Sequence, residues 1–570
     1  LDLIAATPAG TLTVAAGQGN GTFQVVQTTP LVSAVTLAIA DATGAVLANA
    51  PVEVRNLANG QTFQASSSET GNYTVTQLPI GDYDLSVAMS GFKTYTHTGF
   101  HLAAAQTMRE DITLEVGQTT DSVTVTAEAS LLKTESSEVG QNVTLTQLNN
   151  LPVLQAGVTA QGFRDPMISV RLVPGVRYAN AGSVATMVVN GTPANTVQIR
   201  LDGASAAPTG TRLLGATMET QPSVDAVEEV SIQTSNFAAE YGQVGGGFFN
   251  YTMRSGTNQL HGSAYDYFVN EVLNAATPWV NTKPVARRND YGFTIGGPVY
   301  LPKLYNGHDK TFFFFNFEQF RETQNVNGQA VTVPTTGYRS GNFSGALTNR
   351  NLGTDTIGRA ILENTVYDPA TTRAAPNGNL IRDPFPGNII PATAMDPVAL
   401  KIQALIPLPT RSGLTNNGIY PYLSQRSTPI PAFKIDHNLS SKAKLSYFWQ
   451  QTHTASQYSP TLGASDGLPL PITAAIGTFI TAHAQRLNFD YTLTPTLLYH
   501  IGIGYQDDYF TDDPPVLDYN QEASLGLKGA TVNRLFPNLT GLSNAQGGMK
   551  NMGPGSNRHP LLYEKPTTNM

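Results

Sequence analysis

The stretch PSVDAVEEVSIQTSNFAAEYGQVGGGFFNYTMRSGTNQLHG, Pro222 to Gly262, is where the chain changes character. Before it, short strand signals alternate with Gly- and Pro-rich turns, as in small β domains. After it, long segments alternate strictly and carry an aromatic face. Within it, Asp225 to Glu229 can form a helical turn, and Val230 and Ile232 begin a two-residue alternation. Gly242, Gly245, Gly246 and Gly247 follow. Glycines at that density mark tight turns or close backbone approach. Phe249, Tyr251 and Met253 resume the strand, and Ser255-Gly256-Thr257-Asn258 ends it in a turn.

The alternation is most regular downstream of Ser263. Tyr265 and Tyr267 face one side. Tyr291, Phe293 and Ile295 oppose Gly292, Thr294 and Gly296; Phe313, Phe315 and Phe317 oppose Phe312, Phe314, Asn316 and Glu318. Phe433 and Ile435 follow, then Leu445, Tyr447 and Trp449 against Lys444, Ser446 and Gln450. Leu487, Phe489, Tyr491 and Leu493 oppose Arg486, Asn488, Asp490 and Thr492. Leu497 to Tyr505 repeats the pattern against His500, Gly502, Gly504 and Gln506. In a soluble sandwich the apolar face would be the core; in a membrane barrel it faces lipid and the polar face lines the lumen. Short links (Leu301 to Lys310, His437 to Ser441, Thr494 to Thr496) alternate with long ones (Leu273 to Arg288, Glu322 to Pro429, Thr452 to Ala484). That is the barrel habit of short periplasmic turns and long external loops.

Composition agrees. Charged residues are 13% of the chain, against about 25% in soluble domains. No apolar run reaches the ~18 residues of a spanning helix. A net charge of −8 and the lack of a basic, aromatic-interleaved cluster argue against a nucleic-acid partner. With Cys 0 there is no disulfide framework, thiol nucleophile or cysteine metal site. No HExxH, GxSxG, GxxxxGK[ST] or EF-hand loop occurs, and the glycines at 242 to 247 lack phosphate-loop spacing. No catalytic residue, metal site or cofactor is therefore expected. His97 and His101, four apart, lie in strand-rich sequence, which does not suit a helical metal pair. Asp507, Asp508, Asp512 and Asp513 read as a solvated external loop, with a calcium cluster as the other reading.

The 222–262 stretch resembles the end of the plug domain of TonB-dependent outer-membrane receptors, in their Oar-like branch. The residues that carry this are Pro222, Ala226 to Glu229, Asn236 to Gly242, Gly246-Gly247 and Ser255 to Gly262. Arg254 departs from a common Lys, and Phe248-Phe249 from common small aliphatics. Further landmarks are Leu151-Pro152, Leu172 to Val176, Val189-Asn190-Gly191, Ile199 to Gly203, Val333-Pro334-Thr335, Tyr367-Asp368-Pro369 and Phe385-Pro386-Gly387. At Ile199 to Gly203, Asp202 is expected to cap a turn and Arg200 to be solvated. The resemblance implies a mainly β chain: an N-terminal β-sandwich, an α+β plug at 142–258, and at 259–570 the first strands of a transmembrane antiparallel barrel.

Residues 1–30 read as an arm. Residues 31–117 resemble the carboxypeptidase-regulatory-like domain, a carbohydrate-binding-like sandwich, through Asp41, Gly44, Ala50, Val52, Gly71, Tyr73, Leu78-Pro79, Gly81, Tyr83 and Gly91-Phe92. Tyr73 and Tyr83 are expected in the core or in turns. Residues 118–141 read as a linker. Within it Asp121, Ser122, Val123, Thr124, Val125, Thr126 and Ala127 look like a TonB box, the segment that would pair with periplasmic TonB by strand addition. The other readings are a last sandwich strand or a plain linker.

The resemblance further implies the outer membrane as location, lipid and TonB as partners, and uptake of a bulky ligand such as an oligosaccharide or peptide. An adhesion protein of the same architecture is the alternative. A secreted β hydrolase has no assignable nucleophile. About seven barrel strands are legible, whereas a barrel with a plug needs roughly 22. The tail from Asp507 to Met570 reads as another external loop. The chain is therefore expected to be the N-terminal half of a longer receptor.

Overall fold

The computed structural model describes residues 3–6, 12–17, 23–28, 34–75, 78–104, 106–126, 139–150, 162–164, 166, 173–178, 187–193, 196–205, 222–236, 245–276, 283, 285–458, 465–494, 497–529, 534–542, 548–554 and 561–569. Near the start, the arm forms a three-stranded sheet from Leu3–Ala6, Leu12–Gly17 and Phe23–Thr28.

Two sheets then build the sandwich. One orders Thr107–Leu114, Ala34–Asp41 and Asn72–Val75; the other orders Ser122–Thr126, Thr94–Leu102, Gly81–Val87, Pro51–Asn56 and Thr62–Ser66. Alternation puts Val52, Val54, Leu85 and Val87 inward, where they are almost fully buried with Ile39, Phe100 and Ile112. Tyr73 and Tyr83 both belong to this core, and the Tyr83 hydroxyl donates to Pro79 O at 2.6 Å. The Asp41 turn forms as its residues dictate: Asp41 Oδ1 accepts from Thr43 N and Ala45 N, and Gly44 takes φ +86°. His97 and His101 take separate partners. His97 is buried 3.0 Å from Glu110, while exposed His101 meets Asp82 at 2.8 Å.

The plug sheet orders Val139–Thr144, Val227–Ser235, Gly247–Met253, Val197–Leu201 and Ala204–Ser205, with a short helix Leu145–Asn150. The expected helical turn at Asp225–Glu229 starts earlier and is shorter: a 3-10 turn covers Val224–Ala226, and Val227 already begins the strand. Glu228 and Glu229 therefore alternate on a strand, one exposed and one buried. The segment 237–244 of the deciding stretch lies outside the described residues. Just after it, Gly245 N and Gly246 N both donate to Thr196 O at 2.9 Å. A side chain at Gly246 would meet Thr192 Oγ1 at 2.5 Å, so the close approach expected of these glycines is real.

Eight long strands follow in one sequentially ordered antiparallel sheet: His261–Val269, Ala286–Pro298, Thr311–Val326, Tyr422–Ser440, Ala443–Gln457, Gly477–Thr494, Leu497–Asp513 and Leu561–Asn569. Two expectations are corrected here. The acidic run Asp507–Asp513 is not a loop; it is the end of a strand paired on both sides. The tail also contributes an eighth strand, Leu561–Asn569. The sheet is open, since its first and last strands are not paired with each other. Strands of up to 19 residues exceed the roughly 9–11 needed to cross a bilayer, so they project beyond it. Phe293, Ile295, Ile435, Leu487, Tyr499, Ile501, Ile503 and Tyr505 point outward and stay 38–47% exposed. Thr294, Asn316, Glu318, Lys434, Asp436 and Gln450 point inward and are buried. Among the described residues no helix is long and apolar enough to cross a membrane.

Short turns close one end of the sheet. At the other end the long connections do not stay apart. Val331, Val333 and Ile406 pack against Leu468 and Ile472, and against Leu525, Phe536 and Met552, in one apolar cluster drawn from three loops. Asn417 is buried at its edge, accepting from Val333 N at 2.9 Å and donating to Val333 O at 3.0 Å. The long gap read between Glu322 and Pro429 thus hides a folded cap.

Candidate functional site at the plug and barrel wall

The inner wall of the sheet is where the plug sits. Phe314, Ala432 and Phe448 of the barrel share a cluster with Val230, Ile232, Phe249 and Tyr251 of the plug. Both faces of the Val227–Ser235 strand are consequently buried. Ser231 and Gln233, polar positions that alternation would expose, are 3% and 4% accessible. The link from plug to barrel is equally tight: a side chain at Gly256 would lie 2.3 Å from Phe313 O and 2.8 Å from Gly297 O.

Charged pairs cross this interface. Arg164 of the plug is buried, and its Nη2 donates to Asp225 Oδ2 at 2.6 Å. Its backbone N donates to Asp290 Oδ2 of the barrel at 3.1 Å, and its Nε lies 3.5 Å from the same oxygen. The guanidinium also stacks over Tyr267 at 4.2 Å and Tyr265 at 4.7 Å. Those two tyrosines therefore face the plug, on the same side of the sheet as buried Phe314 and Phe448 and opposite to Phe293 and Phe315. A second pair joins Asp202 to barrel Lys434 at 2.8 Å, and Lys434 Nζ donates to Met253 O at 3.0 Å. Asp202 keeps its expected turn role, at φ +45° with Oδ1 accepting from Met253 N. It is nonetheless buried in an ion pair; its partner is Lys434, and Arg200 instead lies over the Phe248 ring at 5.1 Å. Charges buried in pairs fix register, since an unpaired partner is costly in a low-dielectric interior.

The segment singled out for strand addition lies elsewhere. Ser122–Thr126 runs parallel to Thr94–Thr98 as the outer strand of the sandwich sheet, anchored by Thr94 N donating to Asp121 O at 2.8 Å. Its Val125 is 39% exposed. Ala127 lies outside the described residues. No group of three or more His, Cys, Asp or Glu side chains is arranged to hold a metal among the described residues.

Sequence reading missed Arg164, which sits in no alternating segment. It also missed Ala104, whose role is carried by its backbone: Ala104 N donates to Glu229 Oε2 at 2.9 Å, and Asn142 Nδ2 donates to Ala104 O at 3.3 Å.

A half-open antiparallel sheet with a lipid-type outer face, a polar inner wall and a plug held against that wall defines an outer-membrane β-barrel protein. The chain belongs to the outer membrane beta barrel domain family, which it matches over residues 252–569. It lies in the outer membrane of a Gram-negative cell. Residues 34–115 match the carboxypeptidase regulatory-like domain. A curated relative, the TonB-dependent transporter Oar of Myxococcus xanthus, is 25% identical over 289 residues, 48% of this chain and 26% of that protein. The chain thus spans about a quarter of that relative's length. Among solved structures, the outer membrane transporter YddB of Escherichia coli is 9% identical, covering 67% of this chain and 40% of that one, with a TM-score of 0.38. The siderophore receptor PiuA of Acinetobacter baumannii is 10% identical, covering 66% and 46%, with a TM-score of 0.32.

Proposed function

We propose that this chain is part of a TonB-dependent receptor that captures a bulky ligand at its external cap and admits it when TonB displaces the plug. The observation that carries this reading is the plug itself: a folded domain seated on the inner wall by buried ion pairs, Arg164 with Asp225 and Asp290, and Asp202 with Lys434. Such a lumen does not conduct until the plug moves. The family match and the likeness to a TonB-dependent transporter support the same reading. Asp121 to Ala127 is the proposed point of attachment for TonB. The exposed position of Ser122–Thr126 at a sheet edge suits strand addition, in which backbone hydrogen bonds supply most of the affinity. The ligand class is proposed as oligosaccharide or peptide, which suits the long external connections that build the cap.

The test uses the full-length receptor extracted from its native membrane and a purified TonB C-terminal domain. Binding that disappears on deletion of Asp121–Ala127 is the expected result. Equal binding with and without the segment removes it as the attachment point. Absence of binding in both forms overturns the TonB-dependent reading.

A further inference from the structure

Among the described residues, the sandwich is hydrogen-bonded to the rest of the molecule at two turns. At one, Asn258 N donates to Ala58 O at 3.1 Å, and Asn258 Nδ2 donates to Asn59 O at 2.7 Å and to Asp309 Oδ1 at 2.7 Å. Asn258 closes the plug and Asp309 sits in a short turn of the barrel, so this contact holds the sandwich to the rim. At the other, the Ala104 peptide is gripped from both sides, by Glu229 at its N–H and by Asn142 at its carbonyl. Glu229 and Asn142 stand on two adjacent plug strands, where Thr144 pairs with Glu229 and Asn142 with Ser231. Ala104 and Glu229 are both buried there.

Both turns lie at the same end of the sandwich. Asn56 pairs with Tyr83, and Gly81 with Leu102, so the chain leaves both strands together. The Ser122–Thr126 strand runs parallel to Thr94–Thr98, and Thr94–Leu102 continues directly into Ala103 and Ala104. An axial load on the outer strand is shared by its ladder with Thr94–Thr98 and passes along that neighbour to the gripped peptide.

We infer that the sandwich is a force-bearing adaptor, through which a pull on Ser122–Thr126 reaches the plug by way of Ala104, Glu229 and Asn142. The inference rests on the reading of that strand as the TonB-pairing segment. It gives the N-terminal domain a mechanical role, delivering the load to the Val139–Thr144 and Val227–Ser235 strands, where the plug meets the barrel wall.

The test is single-molecule pulling on the full-length receptor in native outer-membrane patches, with a TonB C-terminal domain on the probe. The readouts are capture frequency and the force of the first plug rupture. The double variant Asn142→Ala/Glu229→Ala should capture as often as wild type and rupture at lower force, because the hydrogen bonds that grip Ala104 are gone. Glu229→Gln keeps a carbonyl acceptor and should retain most of the wild-type force. Asn142→Ala alone should fall between, and decides the matter if the double variant fails to reach the membrane. Equal rupture forces in all variants overturn the adaptor and leave TonB attachment standing. Failure of the wild-type receptor to be captured sinks the attachment reading, and the adaptor with it.

Discussion

Arg164 joins two parts of the chain that have no covalent reason to stay together. Replacing it with Met leaves Asp225 and Asp290 buried without their guanidinium. Removing one partner of such a pair costs about 3–5 kcal/mol. The expected outcome of Arg164→Met is release of the plug at lower urea, read as loss of hydrogen-exchange protection in Val227–Ser235; Asp225→Asn with Asp290→Asn in the same chain should restore much of it. Nothing in the sequence marks this residue, because its partners lie 61 and 126 positions away. Lys434 falls between outward-facing Phe433 and Ile435, where alternation turns a side chain inward, but nothing local points to Asp202 as its partner. A different residue answers to pH. In the external cap, Asp383 is held at about 2 by hydrogen bonds from Arg373 and Arg359, at 2.7 and 2.5 Å. Because the folded value lies below the unfolded one, its contribution is fully present above the ordinary carboxylate range, near pH 3.9, and is lost as pH falls through about 2. Hydrogen exchange in Tyr367–Pro384 should therefore be flat from neutral pH to about 4 and rise below it, once the intrinsic acid dependence is subtracted. Arg373→Gln should make that rise smaller, because removing the larger of the two hydrogen bonds brings the folded value back toward the unfolded one.

Elements were legible where one physical rule governs them. Strict alternation in Ala286–Pro298, Thr311–Val326 and Gly477–Thr494 separates lipid from lumen because each face meets one environment. The rule fails in Val227–Ser235, which is walled in on both sides, so that Ser231 and Gln233 are buried although polar. It also fails at Asp507–Asp513, where acidic composition masked a strand. The cap was legible only as a long gap, since its apolar residues are scattered over three connections and no local period joins Val333 to Phe536. Two predictions belong here. Gly256→Val should block barrel assembly, because its side chain would collide with Phe313 O; a loss of heat-modifiable mobility on SDS gels is the readout. Asn417→Ala strips the buried partners of Val333 N and O, at a cost of about 1–3 kcal/mol. The cap should then be cleaved faster by external protease on intact cells, while the barrel strands remain protected.

The molecule as a whole is layered along the membrane normal: a sandwich at the short-turn end, a plugged sheet across the bilayer, and a cap at the far end. The outward stripe makes a direct claim about lipid. Trp449 points outward beside Phe433, with ring centroids 5.5 Å apart. The chain has Trp 2, so Trp279→Phe isolates the emission of Trp449. That emission should be blue-shifted and quenched by phospholipids brominated on their acyl chains; quenching only by a water-soluble agent would contradict the assignment of the outer face. The shared core of the three loops bears on how the exposed surface of this protein can diverge. Leu468, Phe536 and Val333 touch one cluster, so a substitution in one loop is felt by the other two and drift there has to be concerted. The paired strands between Asn351 and Pro384 stand outside that cluster and are largely exposed. A bacteriophage or an antibody selecting for escape would find its tolerated changes concentrated there.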